Sequence, residues 1–164
     1  MKKIHFLIIF TLLTIGPLKG QQISFQFDVK NAFYGSTVNK PSFNYIIKVT
    51  DLYNYSQNLE LGIFFEQFKE INYLSYGVTS NYRILNFDKF HFLTAVELSM
   101  ITRNYPEKAN LSYYSYGFNQ EFRYIINNIG LQLSINSKRR TDQNYWNSES
   151  KFVHSMYIGI VYIL

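Results

Sequence analysis

The chain has 164 residues, enough for one domain, with a formal net charge of +5 and no cysteine. Charged residues make up 16% of the sequence and aromatic residues 19%. An ordinary soluble domain has about 25% charged residues, so this composition favours a protein whose exterior contacts lipid. The absence of cysteine fits an exported protein that needs no disulfide bonds.

The first twenty residues have the pattern of a signal peptide. Two lysines precede an apolar run at 6–15, whose length suits a signal-peptide core rather than a spanning helix of about twenty residues. Gly20 offers a cleavage point, so we expect a signal peptide at 1–20 and a barrel domain at 21–164. The leader holds three of the 16 basic residues, against 11 acidic ones, so the mature charge falls to +2. The basic pI is therefore no reason to expect a nucleic-acid partner.

The rest of the chain shows a period of two, which is typical of half-buried β-strands. Clusters of Asn, Asp, Gly and Lys divide it into eight segments. The predicted strands lie near 23–30, 43–52, 59–68, 72–84, 90–100, 114–124, 129–136 and 156–164. The fourth is the clearest, since Leu74, Tyr76 and Val78 alternate with Ser75, Gly77 and Thr79.

The connections between these strands alternate in length. Long polar connections are predicted at 31–42, 102–110 and 138–151, and short turns at 85–89 and 127–128. If the first strand begins in the periplasm, the long connections all fall on the outer side, as in outer-membrane barrels. Pairing the last strand with the first would leave no open edge. The predicted fold is all-β, an eight-stranded antiparallel up-and-down transmembrane β-barrel.

Alternation alone does not decide which face of the barrel is inside. A soluble, lipocalin-like barrel with an apolar pocket has the same pattern. Mid-strand glycines such as Gly77 and Gly117 lie on the polar face, where a narrow lumen would require them. The polar face also carries charges that could pair inside a lumen, whereas a cation facing lipid costs about 2–4 kcal/mol at the bilayer midplane. Large aromatic residues near strand ends on the apolar face suggest interfacial girdles. These features favour the membrane barrel.

The charged residues of the polar face form the predicted lumen network. They are Asp28, Lys48, Glu60, Glu66, Arg83, Glu97, Glu121 and Arg123. Eight strands enclose an interior just wide enough for side chains. We therefore expect a filling of salt bridges, with a polar conduit or a proton-linked gate as the alternative.

The predicted last loop combines basic and aromatic residues. The candidate surface contacts are Lys138, Arg139, Arg140, Tyr145 and Trp146. Arginine forks suit phosphate and a lone Trp suits an interface. This loop could therefore bind lipopolysaccharide or a surface partner, or it could be a solvated loop with its cations at the headgroup level.

No catalytic residue, metal site or cofactor is predicted. His91, Glu97 and Ser99 share one strand face, but neighbouring positions on that face are about 7 Å apart, so His91 cannot touch Glu97 within the strand. His154 and Ser155 are adjacent and point to opposite faces, unlike the His-x-Ser pair of some lipid A deacylase barrels. The histidines show no metal-ligand spacing.

In layout, the mature chain resembles the small eight-stranded outer-membrane proteins of the OmpX and OmpA-transmembrane-domain type, in the form common among Bacteroidetes. Its closing strand is similar to the terminal insertion signal of that class, but the last position is Leu164 where the family usually has an aromatic residue. The signal residues would be Tyr157, Ile158, Ile160, Tyr162 and Leu164.

The resemblance implies a barrel inserted into the outer membrane by the assembly machinery, with a packed lumen and no cofactor. We expect a non-enzymatic structural or surface-interaction protein whose partners are outer-membrane lipid, lipopolysaccharide and an unidentified surface protein. The alternatives are a soluble or periplasmic lipid carrier and a membrane-embedded lipid-modifying enzyme.

Overall fold

The computed structural model describes residues 21–29, 43–51, 58–69, 72–105, 108–142 and 152–164. The predicted signal peptide lies outside this part of the chain. Within it, no helix is long and apolar enough to cross a membrane. The eight strands are β1 (Gln22–Asp28), β2 (Asn44–Thr50), β3 (Leu59–Phe68), β4 (Tyr73–Phe87), β5 (Phe90–Tyr105), β6 (Lys108–Ile126), β7 (Ile129–Arg140) and β8 (Phe152–Ile163).

The strands form one closed barrel in which each strand pairs antiparallel with the next. β8 returns to pair with β1, in a register that places Gln22 opposite Ile163 and Asp28 opposite Tyr157. Closure satisfies the backbone groups that an open sheet edge would leave unpaired. The predicted eight-stranded antiparallel barrel is confirmed.

Burial alternates along the strands and identifies the inner face. In β7, Gln132 and Ser134 are each 1% exposed, while Leu131 is 62% exposed. Since successive side chains of a strand point to opposite faces, the polar positions line the interior and the apolar positions cover the exterior.

Two-residue turns connect β4 to β5 at 88–89 and β6 to β7 at 127–128. Asp88 and Asn127 have φ angles of 44° and 55°, a left-handed conformation that Asp and Asn tolerate better than most residues. The Asn128 side-chain amide donates to the carbonyl oxygen of Ile163 at 2.9 Å, which ties this turn to β8. We call this end of the barrel the turn end and the opposite end the loop end.

Several strands extend further toward the loop end than the sequence pattern predicted. β5 continues to Tyr105 and β6 begins at Lys108, with these two residues paired. β7 continues to Arg140. The predicted connection at 102–110 is therefore almost entirely strand, and the predicted connection at 138–151 begins too early. Polar residues occupy both faces at this end, so the period-two signal disappears although the backbone pairing continues.

Inward-facing glycines lie where the backbone of the neighbouring strand leaves no room for a Cβ atom. A Cβ atom at Gly117 would overlap the carbonyl oxygen of Ser137 on β7, and one at Gly159 would overlap the carbonyl oxygen of Phe25 on β1. The glycines are therefore required by the backbone of the adjacent strand. The predicted reason for these glycines was the narrow lumen, but the nearest atom that a Cβ would meet belongs to the backbone of the adjacent strand.

Candidate functional site

Eight charged side chains inside the barrel form one continuous chain in which the sign of the charge alternates at every step. Consecutive members are joined by ion pairs of 2.6–3.1 Å. From the turn end to the loop end, the order is Arg83, Glu60, Arg123, Glu121, Lys48, Glu97, Lys138 and Glu66. We call this set the ion-pair chain. Its members come from β2 to β7, so it links opposite walls of the barrel.

At the centre of the ion-pair chain, Lys48 lies between two carboxylates. Its Nζ is 2.7 Å from an oxygen of Glu97 and 2.7 Å from an oxygen of Glu121. Amide side chains complete the site, since Asn136 donates to Glu97 at 2.8 Å and Gln132 donates to Glu121 at 2.7 Å. Buried charges need such partners to offset their lost hydration.

At the turn end, one arginine joins two carboxylates. Arg123 donates to Glu121 Oε2 at 2.6 Å and to Glu60 Oε2 at 3.0 Å, and Gln22 accepts a further hydrogen bond from it at 2.6 Å. Glu60 also accepts a hydrogen bond of 2.6 Å from Arg83, whose side chain is 19% exposed. The ion-pair chain therefore meets solvent at this end.

At the loop end, the ion-pair chain ends among aromatic side chains. Glu66 accepts hydrogen bonds from Lys138 Nζ at 3.0 Å, from Tyr157 Oη at 2.8 Å and from Tyr73 Oη at 3.2 Å. The Lys138 ammonium also lies 4.7 Å from the ring centroid of Phe64, within cation–π range. The aromatic rings exclude water around Glu66.

Above these aromatic side chains, Asp142 bridges two arginines. Its Oδ2 lies 2.7 Å from Arg103 Nη2 and 2.7 Å from Arg140 Nη2, and the Arg140 guanidinium lies 4.1 Å from the Tyr73 ring centroid. Burial tends to raise the pKa of Asp142, but hydrogen bonds from Arg140 and the charges of both arginines outweigh it and hold the pKa below its ordinary value.

Cations and carboxylates occur together in the interior. Among the described residues, the buried or half-buried cations include Lys48, Arg83, Arg103, Arg123, Lys138 and Arg140, and the carboxylates include Asp28, Asp51, Glu60, Glu66, Glu97, Glu121 and Asp142. Ion pairs hold most of these side chains in place. The arrangement is suited to closing the barrel.

All eight residues of the predicted lumen network lie in the interior. Seven of them belong to the ion-pair chain, and the eighth, Asp28, is 2% exposed. The alternation of polar and apolar residues predicted the faces of these residues but not their partners.

The predicted surface loop is partly wrong. Lys138 is a buried member of the ion-pair chain, and Arg140 is half-buried against Asp142, because β7 continues through both positions. Arg139 alone of the three points outward, where it donates to Tyr116 Oη at 3.1 Å. Tyr145 and Trp146 lie outside the described residues.

The residues of the predicted insertion signal divide between the two faces of β8. Tyr157 is 2% exposed and donates to Glu66 inside the barrel. The other four lie on the outer face: Ile158, Ile160, Tyr162 and Leu164.

The set of His91, Glu97 and Ser99 has no geometry for catalysis among the described contacts. Glu97 is held by Lys48, Lys138 and Asn136. A carboxylate bound in this way is not available to orient a histidine. In the part of the chain that the structure describes, no group of three or more His, Asp or Glu side chains could hold a metal ion.

Several interior residues were not predicted to lie there, among them Tyr73, Arg103, Lys138 and Asp142. For two of them a signal was present. Lys138 is an even number of residues from Gln132 and Ser134 in β7, so it lies on the same face as they do. Arg103 lies on the same face as Glu97 in β5 for the same reason. Continuing the alternation past the last apolar residue would have placed both inside. Asp142 lies beyond the end of β7, so the alternation of faces along a strand does not predict its position.

Comparison with known proteins does not assign the chain to a family. No protein-family model matches the sequence, and no curated protein matches it. The resemblance to OmpX-type proteins therefore stays a prediction.

Proposed function

We propose that the protein is a non-enzymatic outer-membrane β-barrel whose interior is closed by the ion-pair chain and whose loop end has a structural or surface-interaction role. The observation that carries this proposal is the combination of a charged interior with an apolar exterior. Val78, Leu98 and Ile160 are each more than half exposed in the middle of their strands. Every strand contributes to the outer face at least one large apolar side chain that is more than a third exposed.

An apolar surface that encircles a protein is unfavourable in water and favourable in lipid. Large exposed aromatic residues flank it at both ends, as interfacial girdles do in outer-membrane barrels. Those at the turn end include Phe87, Phe90 and Tyr162, and those at the loop end include Tyr114, Tyr116 and Phe152. The partners of this surface would be outer-membrane lipid and lipopolysaccharide, with the turn end in the periplasm and insertion by the outer-membrane assembly machinery.

The interior supports a closed barrel rather than a carrier or a conduit. A soluble lipid carrier would place its apolar face inside, whereas the buried face here is polar. A conducting pore would need a continuous water path, whereas the ion-pair chain crosses the lumen from wall to wall. The interior carboxylates Glu60, Glu97 and Glu121 are each held by two cations, which supports a role in packing rather than in catalysis.

The first test is the location and heat-modifiability of the full-length protein. We expect it in the outer-membrane fraction, with a gel mobility in mild detergent that changes on heating because a closed barrel resists unfolding. A soluble protein with no heat-dependent shift would refute the membrane assignment.

Planar-bilayer recording provides a separate test of the closed interior. We expect the purified barrel to insert without a steady conductance, because the ion-pair chain fills the lumen. A stable open channel would contradict the closed interior while leaving the location in the membrane intact.

A further inference from the structure

On the outside of the barrel, near the loop end, two hydrogen-bonded pairs of polar side chains interrupt the apolar surface. Ser137 Oγ lies 2.8 Å from His154 Nδ1, and Arg139 Nη1 donates to Tyr116 Oη at 3.1 Å. Both pairs join directly opposed residues of neighbouring strands, on β7 and β8 and on β6 and β7. Ser137 and Arg139 are two residues apart on one strand face, so their Cα atoms lie about 7 Å apart along β7. We call these four residues the outer polar cluster.

The outer polar cluster has the chemistry of an anion site. The Arg139 guanidinium is a positively charged fork that matches the oxygen atoms of a phosphate group. When Ser137 donates to Nδ1 of His154, the imidazole carries its hydrogen on Nε2 and can donate outward. Tyr116 accepts from Arg139 and can donate its own hydroxyl hydrogen. Three side chains on neighbouring strands, Arg139, His154 and Tyr116, therefore present hydrogen-bond donors to one stretch of the outer surface, while Ser137 uses its only hydroxyl hydrogen on His154.

Toward the turn end, the same strands become apolar. The outward positions that follow the cluster on β7 and β8 are Ile135 and Met156, then Leu133 and Ile158. Leu133 and Ile158 border a groove of about 480 Å³ with walls of predominantly apolar side chains. The groove begins four residues below Ser137, a distance of about 13 Å along the strand. One acyl chain is long enough to span that distance.

We propose that the outer polar cluster binds the anionic phosphate headgroup of a membrane lipid, with one acyl chain of that lipid lying along β7 into the groove. This inference rests on the proposed location in a membrane and names a ligand for its outer surface. Charge complementarity selects the headgroup, and the apolar path below the cluster selects a lipid over a soluble phosphate compound.

The test uses the full mature barrel in detergent micelles that contain equal amounts of phosphatidylglycerol and phosphatidylcholine with identical acyl chains. Native mass spectrometry counts the lipid molecules that remain bound. We expect the wild type to retain phosphatidylglycerol preferentially, and Arg139→Gln and His154→Gln each to lower that retention about tenfold, as expected for one charge-assisted hydrogen bond. The matched control is Lys89→Gln, which removes an exposed cation from the β4–β5 turn at the other end of the barrel and leaves retention unchanged.

A wild type without a preference for phosphatidylglycerol, or variants that retain it as well as the wild type does, would overturn the inference. A second arm adds the soluble headgroup glycerophosphoglycerol in excess, which we expect not to displace the lipid because it has no acyl chain. Complete displacement of the lipid would show that its acyl chain does not bind in the groove. The gel shift separates failure of the proposed function from failure of this inference. A protein without the heat-dependent shift would refute the membrane barrel itself, whereas a protein with the shift but without lipid preference would refute only the lipid site.

Discussion

The ammonium nitrogen of Lys48 on β2 lies 2.7 Å from a carboxylate oxygen of Glu121 on β6, four strands away around the barrel wall. Neither side chain is more than 1% exposed. The contact therefore joins opposite walls through a region that excludes water. Its physical importance is that neither charge can return to water while the barrel stays closed.

Replacing Lys48 with Met should destabilise the barrel strongly. Glu97 and Glu121 would then lose the cation between them, and breaking a buried ion pair from one side costs about 3–5 kcal/mol. The measurement is the urea concentration at which half of the protein loses its heat-dependent gel shift. A midpoint equal to that of the wild type would show that the central ion pairs do not stabilise the fold.

The double variant Lys48→Met with Glu97→Gln should recover part of the loss. It removes one cation and one carboxylate, and leaves Glu121 paired with Arg123 and Lys138 paired with Glu66. We expect the double variant to be more stable than the sum of the two single effects, as for groups in direct contact. Simple additivity would mean that Lys48 and Glu97 act independently.

Gly117→Ala and Gly159→Ala should each destabilise or block folding, because the new methyl group would overlap a carbonyl oxygen of the adjacent strand. A forced backbone shift of this kind typically costs about 1–3 kcal/mol. Folding yield in detergent and the urea midpoint would report the effect. Ser115→Ala is the control, since Ser115 is also buried inside β6 but already carries a Cβ atom. Equal stability of all three variants would contradict the close approach of the strands.

Leu98→Arg tests which solvent surrounds the barrel. Leu98 is 55% exposed in the middle of β5. In the proposed membrane barrel, an arginine there would face lipid and cost about 2–4 kcal/mol near the bilayer midplane. Thr102→Arg, at an outward position nearer the loop end, should be tolerated. Folding into lipid vesicles is the measurement. If Leu98→Arg folded as well as the wild type did, the apolar face would not be lipid-facing.

The Asp142 bridge predicts a dependence of stability on pH. The pKa of Asp142 is held below its ordinary value of 3.8, so the ionised form favours the folded state. This contribution is present above pH 3.8 and is lost as the pH falls through the lowered pKa of the folded state. The stability difference between the wild type and Asp142→Asn should therefore shrink below pH 3.8.

Urea midpoints measured at pH 6 and at several values below pH 3.8 would show that change. Asp88→Asn serves as the control, because Asp88 lies exposed in a turn whose backbone conformation Asn also adopts. A difference between the wild type and Asp142→Asn that stays constant with pH would contradict the role of the carboxylate charge.

The closed barrel and its inner face could be predicted because the exterior is apolar and the lumen is polar, so the two surfaces impose opposite demands on alternate residues. Leu131 and Gln132 show this in adjacent positions, with exposed fractions of 62% and 1%. The pattern is local, so it identifies faces without any knowledge of the partner strand.

The pairing inside the lumen could not be predicted because it depends on distances across the barrel. The partners of Lys138 are Glu66 and Glu97, which are 72 and 41 positions earlier in the sequence. The period-two pattern also predicted no strand at Lys138, because both faces of β7 are polar there and the alternation disappears. Hydrophobic periodicity identifies only the part of a strand that has apolar residues on one face. Backbone hydrogen bonds extend the strand beyond that part.

The seam between β1 and β8 concentrates one cost of folding in a single place. Every other strand pair is a hairpin of neighbours in sequence, but the seam joins Gln22 to Ile163. Forming this one pair therefore requires the loss of conformational entropy that closes the whole chain into a ring. That loss is offset only by the contacts that form when both strands are in register. Folding rate should respond more strongly to weakening of the seam than to equal weakening of any hairpin.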